Sequence, residues 1–236
     1  MTVADQTLLR SVTLIDGTGG TPLPGVDIRV AGSRVVEVGR GLSEGDADVV
    51  EAAGMFAVPG LIDCHVHLIS GAGPGDDARI RREPLIVIAW DAARNAAASV
   101  RGGVTTVRDL GAPGEIAIRL RDEVAAGRMP GPRIRAAGRL ICQTGGHLWY
   151  IGHEADGEDG VRKAVREELK AGADAIKFIA SGGIMTPGVD PRSPQLSVEE
   201  ISAGVREAHK AFVRVAGHGQ GTEGIKNAIR AGVDSI

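Results

Sequence analysis

Two cysteines, Cys64 and Cys142, are all that the 236 residues contain, too few for a disulfide framework. Cys64 falls inside an apolar, strand-like run where a small buried thiol suffices. A basic excess is also missing: the formal net charge is −3 and the isoelectric point about 6.1. No positive field exists to hold nucleic acid or an anionic membrane, so the expected partner is a small molecule. The longest apolar run, Leu85 to Trp90, is far short of the ~18 residues of a membrane span. The opening stretch MTVADQTLLR lacks the charged-then-apolar layout of a secretory leader, which makes cytoplasm the expected compartment.

Glycine is the one excess. It occupies 35 of 236 positions, about twice the usual ~7%. With 11 prolines added, the sum still falls short of the ~25–30% that marks a low-complexity chain. A hydrophobic share of 43% beside 24% charge can bury a core, so disorder, collagen and coiled coil are excluded. A fold with many tight connections fits.

From Leu8 to Phe56 short β-like stretches alternate with turn signals, Asp16-Gly17 and Ala31-Gly32-Ser33 among them, the chemistry of hairpins. Residues 1–57 read as the N-terminal part of a β-sandwich domain. Beyond Pro59-Gly60 the texture becomes strand, loop, helix, repeated. Strands are expected at Leu61 to Val66, Val104 to Arg108, Arg133 to Ala137, Ala175 to Ile179 and Arg214 to Gly217. Helices are expected at Leu85 to Arg101, Glu115 to Ala126, Gly160 to Ala171, Val198 to Phe212 and Glu223 to Ala231, several stopped by the glycine that follows, as at Gly102, Gly127, Gly172 and Gly232. This alternation predicts an α/β fold with a parallel sheet, residues 58–236 forming part of a (β/α)8 barrel. At ~31 residues per unit, five units and the opening of a sixth at Asp234-Ser235-Ile236 can be placed. The expectation is an incomplete barrel, whose unpaired edges invite aggregation unless further chain covers them.

The sharpest chemical signal is His65-Val66-His67 with Asp63 before it, at the end of the first barrel strand. Alternation along a strand points Asp63, His65 and His67 one way, with the imidazoles about 7 Å apart at Cα. They could converge on one ion, and the C-terminal strand ends are where barrel enzymes keep their sites. Two histidines hydrogen-bonded in a core or loop would give the same spacing. Lys177 interrupts the apolar strand Ala175 to Ala180, and a buried ammonium must be paired or neutralised. A neutral lysine is a nucleophile, suited to Schiff base or carbamate formation. A salt bridge to a distant acid, or snorkelling past the strand end, would account for it as well. His218 follows the strand Arg214 to Gly217, ahead of a helix with Thr222 as expected N-cap. Alone it specifies little; the three candidates reinforce one another because one reading places all of them on the same face.

These segments resemble the amidohydrolase superfamily, within its imidazolonepropionase-like and prolidase (Xaa-Pro dipeptidase)-like branch. The resemblance is carried by Val58 to His67, Thr105 to Gly111, Gln143 to His147, Gly172 to Lys177 with Ala180-Ser181-Gly182-Gly183, and His218 to Ile236. It implies a β-sandwich built from both chain termini around a (β/α)8 barrel. It implies also that His65 and His67 hold one divalent metal, that a carbamylated, catalytic Lys177 bridges two, both zinc, and that His218 binds the second. His147 and Gln220 would meet substrate; many relatives carry His or Tyr at the latter position, where peptidase members grip a substrate carboxylate. Two family elements, a histidine of a Glu-His-Gly segment about two residues beyond Ile236 and a catalytic Asp near the last barrel strand, fall outside these 236 residues, so the chain alone is expected to turn over poorly.

The function implied is metal-dependent hydrolysis of an amide C–N bond, in a dipeptide or N-acyl amino acid, by metal-activated water. The alternatives are a cyclic-amide hydrolase or deaminase of the imidazolonepropionase type, and a non-catalytic scaffold. No nucleic acid or membrane partner is expected, and a homo-oligomer is left open. His153 is expected in solvent and His209 on a helix away from the strand ends. Asp109 is read as a helix cap in preference to a support for the site, and Arg79-Ile80-Arg81-Arg82 as a solvated face.

Overall fold

The computed structural model describes residues 6–236, which divide into two compact units, one ending at Gly60 and the other spanning Leu61–Ile236. In the first, strands β1 (Gln6–Leu14), β2 (Leu23–Ala31), β3 (Arg34–Gly39), β4 (Asp48–Glu51) and β5 (Phe56–Ala57) form one sheet in the order β3-β2-β1-β4, with β5 also on β1. The β2–β3 hairpin turns at Gly32, whose φ of +54° costs a glycine nothing. Val12, Val26 and Ile28 are buried together on one face, with Leu9 and Leu14 packed against them. Asp27, between Val26 and Ile28 in sequence, is buried as well, accepting the backbone N–H of Ser11 at 2.9 Å and of Leu42 at 3.0 Å. It thereby pins the bulge in β1, where Ser11 takes φ +60°.

The second unit runs β6 (Leu61–Val66), α1 (Asp76–Ile80), α2 (Leu85–Arg101), β7 (Val104–Asp109), α3 (Ile116–Ala125) and β8 (Arg133–Ala136). It continues with β9 (Ile141–Cys142), β10 (His153–Glu154), α4 (Gly157–Ala171), β11 (Ala175–Ile179), α5 (Val198–Lys210), β12 (Arg214–His218) and α6 (Thr222–Ala231). Every strand pair in it is parallel. The pattern-based strands and helices recur within a few residues at each end. A sixth strand begins as a parallel bridge between Ala216 and Ser235, with Gly217 N–H donating to the Ser235 carbonyl at 2.8 Å.

The strands do not form one continuous wall: β6-β7-β8 is one sheet and β10-β9-β11-β12 another. The seam has a physical cause. Asp174, just before β11, gives its N–H to the Ala136 carbonyl at 2.7 Å, while its carboxylate accepts the Ala136 N–H at 3.0 Å. A side chain thus takes the place of the next ladder bond between β8 and β11. At the other side β6 is an open edge, with Leu61 and Ile62 exposed.

The helices pack apolar stripes onto the sheets: Ile88, Ala92 and Ala96 of α2, Val161 and Val165 of α4, and Ile201 and Val205 of α5 are all buried. Two terminus expectations are corrected. Helix α2 is stopped by Gly103 at φ +88°, with Gly102 at −82°. Helix α6 has Gly221 as N-cap and Thr222 as its first residue, without a side-chain cap. The fully formed capping box is instead Ser197 with Glu200 on α5. Among the described residues no helix is long and apolar enough to cross a membrane.

Candidate active site

β6 and β12 each deliver a histidine at their C-terminal ends, and β11 delivers a lysine from its centre. The Lys177 Nζ lies 3.3 Å from the His65 Nε2 although the two residues belong to different sheets. The His65 and His67 rings stand edge to face with centroids 5.7 Å apart, and the His147 and His218 rings are 4.8 Å apart. All four histidines line one cavity of about 410 Å³. Asp63 is not part of this group. β6 slips register against β7 between Asp63 and Val66, which breaks the strand alternation, and the exposed Asp63 carboxylate accepts the His65 N–H at 3.0 Å.

Lys177 is 1% exposed and forms no salt bridge among the described residues. Burial, and then the Arg108 guanidinium, pull its ammonium down to about 7, so the neutral amine is well populated near neutrality. Loss of hydration, with the charge of Lys177 next, holds His65 down to about 4 although part of the residue is exposed at the sheet edge. Burial and His218 bring His147 to about 4. His218 is lowered by burial against the upward pull of the Gly182 carbonyl, 3.2 Å from its Nε2. The result is a set of nitrogen lone pairs with no carboxylate among the cavity-lining residues. Neutral imidazoles and an amine are what a divalent cation of the zinc type accepts, so the donor chemistry fits a metal. Among the described residues, no three His, Cys, Asp or Glu side chains are gathered for one ion; the lysine is the member that joins the histidines.

Asp109 is the residue that sequence reasoning undervalued. It caps no helix. Fully buried at the end of β7, it accepts the Leu68 N–H at 2.9 Å and the Gly111 N–H at 3.0 Å. The Gly111 carbonyl in turn lies 2.8 Å from the His67 Nδ1. One carboxylate therefore fixes the backbone just after His67 and the N–H side of Gly111, the residue whose carbonyl receives the ring N–H, which leaves the Nε2 lone pair available. Burial raises the Asp109 carboxyl above its ordinary range against the pull of His67 and both N–H donors.

The loops are knit by side chains with no motif of their own. His147 is 2% exposed; its Nδ1 meets the Thr186 Oγ1 at 2.9 Å and its backbone N–H donates to the Gln195 Oε1 at 2.8 Å. Thr186 Oγ1 also accepts the Leu148 N–H at 2.9 Å, steadying a residue held at φ +58°. Ser181 Oγ, fully buried, accepts the Gln220 N–H at 2.8 Å and the Gly221 N–H at 3.3 Å. A Cβ on Gly183 would lie 2.3 Å from the His147 Nε2, and one on Gly182 would lie 2.0 Å from the Asp190 carbonyl oxygen. The Gly-Gly pair is there for close approach. Gln220 itself is exposed and does not line the cavity.

His153, Arg79 and Arg81 differ from expectation, and His209 lies on its helix away from the strand ends, as expected. His153 is half-buried between Glu168 at 3.1 Å and Glu167 at 3.3 Å. Arg79 reaches the buried Asp91, and Arg81 lies 5.4 Å from the centroid of the Tyr150 ring. His209 pairs with Asp234 at 2.9 Å on the helix side.

The family model described as Amidohydrolase family matches residues 56–236. The chain belongs to the amidohydrolase family. It is 32% identical over 212 residues to the ochratoxinase of Aspergillus niger, an alignment covering 76% of this chain and 42% of that protein. Its fold is similar to a prolidase solved with N-methylphosphonate-L-proline (TM-score 0.85, 32% identity, 97% of this chain and 59% of the other). It is also similar to a Xaa-Pro dipeptidase with methionine bound in its active site (TM-score 0.82, 32% identity, 98% and 61%). The chain thus spans roughly half the length of these amidohydrolases. The family generally uses divalent metal.

Proposed function

We propose that this protein is a metal-dependent hydrolase of amide C–N bonds, acting on a dipeptide or N-acyl amino acid, and that its two parallel sheets are part of a (β/α)8 barrel wall. The observation that carries this reading is the buried, acid-free Lys177 amine within 3.3 Å of the His65 Nε2. His65, His67, Lys177 and His218 would hold two zinc-like ions. When bound, such ions polarise a carbonyl and lower the pKa of water toward ~7.

The chain's own residues prepare that chemistry. The neutral Lys177 amine can add its lone pair to the carbon of carbon dioxide, forming an N–C bond and releasing one proton. The product is a carbamate whose two oxygens share one negative charge, supplying the ligand charge that the cavity lacks. His67 is oriented by Gly111 and, through it, by Asp109. His147, its Nδ1 tied to Thr186, would meet the substrate carbonyl through Nε2. The exposed Gln220 is left to meet the outer end of a substrate.

The test is amine release from a panel of N-acyl amino acids, dipeptides and cyclic amides by zinc-loaded protein. Hydrolysis of linear amides that falls to background in His67→Ala supports the proposal. Hydrolysis unaffected by that substitution, or confined to cyclic amides, overturns it.

A further inference from the structure

We infer that the cavity beside the histidines is a specificity pocket for an uncharged, bulky apolar group flanking the scissile bond, an aromatic ring or a branched aliphatic chain. The inference rests on the hydrolase reading above and adds the chemical class of substrate.

A volume of about 410 Å³ falls within the ~300–1,000 Å³ of small-molecule sites. Apart from the histidines, the lining is dominated by Val66, Ile69, Ile80, Leu148, Ile151 and Met185. These six come from four separate stretches: the end of β6 with its following loop, α1, the loop after β9, and the loop after β11. Shared apolar character across four stretches is not the by-product of one amphipathic helix; it is a surface the fold assembles next to the reacting groups. Ile69, Leu148 and Ile151 are 1%, 7% and 4% exposed, whereas Met185 is 40% exposed, at the accessible side.

Charge points the same way. Among the described residues no lysine or arginine lines the cavity. Arg81, beside Tyr150, is engaged by the Tyr150 ring and by Asp77 at 3.3 Å. In the metal-free chain a carboxylate on the flanking group would give up hydration with no cationic side chain in the lining to receive it, while a ring or branched chain would cover apolar walls.

The experiment uses a matched pair of ligands, N-(2-naphthoyl)glycinamide and the same molecule with a carboxylate on the far ring, titrated calorimetrically into the metal-free chain. The uncharged probe is expected to bind on the order of tenfold more tightly. Met185→Glu should weaken it severalfold with the melting temperature unchanged, and Met185→Lys should narrow the gap between the two probes. Equal binding of the pair, or a Met185→Glu variant with wild-type affinity for the uncharged probe, overturns the pocket. Failure of the zinc-loaded protein to hydrolyse any amide, even at the low rate expected of this chain alone, would instead defeat the hydrolase reading and leave the binding preference standing.

Discussion

Lys177 and His65 meet across two sheets, Nζ to Nε2 at 3.3 Å, with the lysine 1% exposed and no carboxylate to pair it. An ammonium is costly there, and a neutral amine next to an imidazole lone pair is a reactive one.

Replacing that amine should remove the ligand. Lys177→Ala is expected to lose bound zinc and activity together, and a short carboxylic acid such as acetate should restore part of both by standing in for the carbamate. Metal analysis by mass spectrometry and amide hydrolysis, each with and without added acid, check this; full metal content in the variant contradicts it.

The same lysine should shape stability against pH. Its folded pKa, about 7, lies below the 10.5 of the free side chain, so between these values the unfolded chain binds more protons and stability rises with pH. Below about 7 the penalty for burying the amine is fully present; it is relieved toward 10.5. The melting temperature of metal-free wild type, taken relative to Lys177→Met, should therefore climb across that window. A flat difference would mean that Lys177 is not buried as described.

Asp109 should act through His67. In Asp109→Asn one of the two N–H groups at Leu68 and Gly111 faces an NH2, loosening Gly111, whose carbonyl receives the His67 ring proton. Metal affinity is expected to fall ~10–100-fold, and 15N shifts of the metal-free protein should show His67 losing its single tautomer. An unchanged tautomer with reduced stability would make Asp109 merely structural.

Gly183→Ala tests the close approach to His147. The added methyl would sit 2.3 Å from the His147 Nε2, so the ring or the loop must move, at a cost of about 1–3 kcal/mol. Denaturant unfolding measures the cost. A variant as stable as wild type would show the Gly-Gly segment to be adaptable.

Much of this was legible beforehand where the signal is local. Strand β11, with Lys177 at its centre, and helix α2 are bounded as their apolar patterns indicate, because periodicity and a stopping glycine are properties of neighbouring residues. The His65, His67, Lys177 and His218 cluster was legible because alternation of strand and helix sends every strand end to one side. What escaped depends on partners remote in the chain. Asp109 resembles a cap until Leu68 and Gly111 are seen to donate to it, and Asp174 gives no hint that it interrupts the ladder at Ala136. Asp63 was misplaced because the slip in β6 is a matter of pairing with β7, not of its own alternation. Thr186, Gln195 and Ser181 bind the loops through single hydrogen bonds that leave no pattern at all.

Zinc titration of the metal-free chain, followed by calorimetry alongside His65→Ala, His67→Ala, Lys177→Ala and His218→Ala, is the most direct measurement of the account. Stoichiometric binding by the wild type that weakens in each of the four variants is the expected result. Binding that is absent from the wild type, or indifferent to all four substitutions, would contradict it.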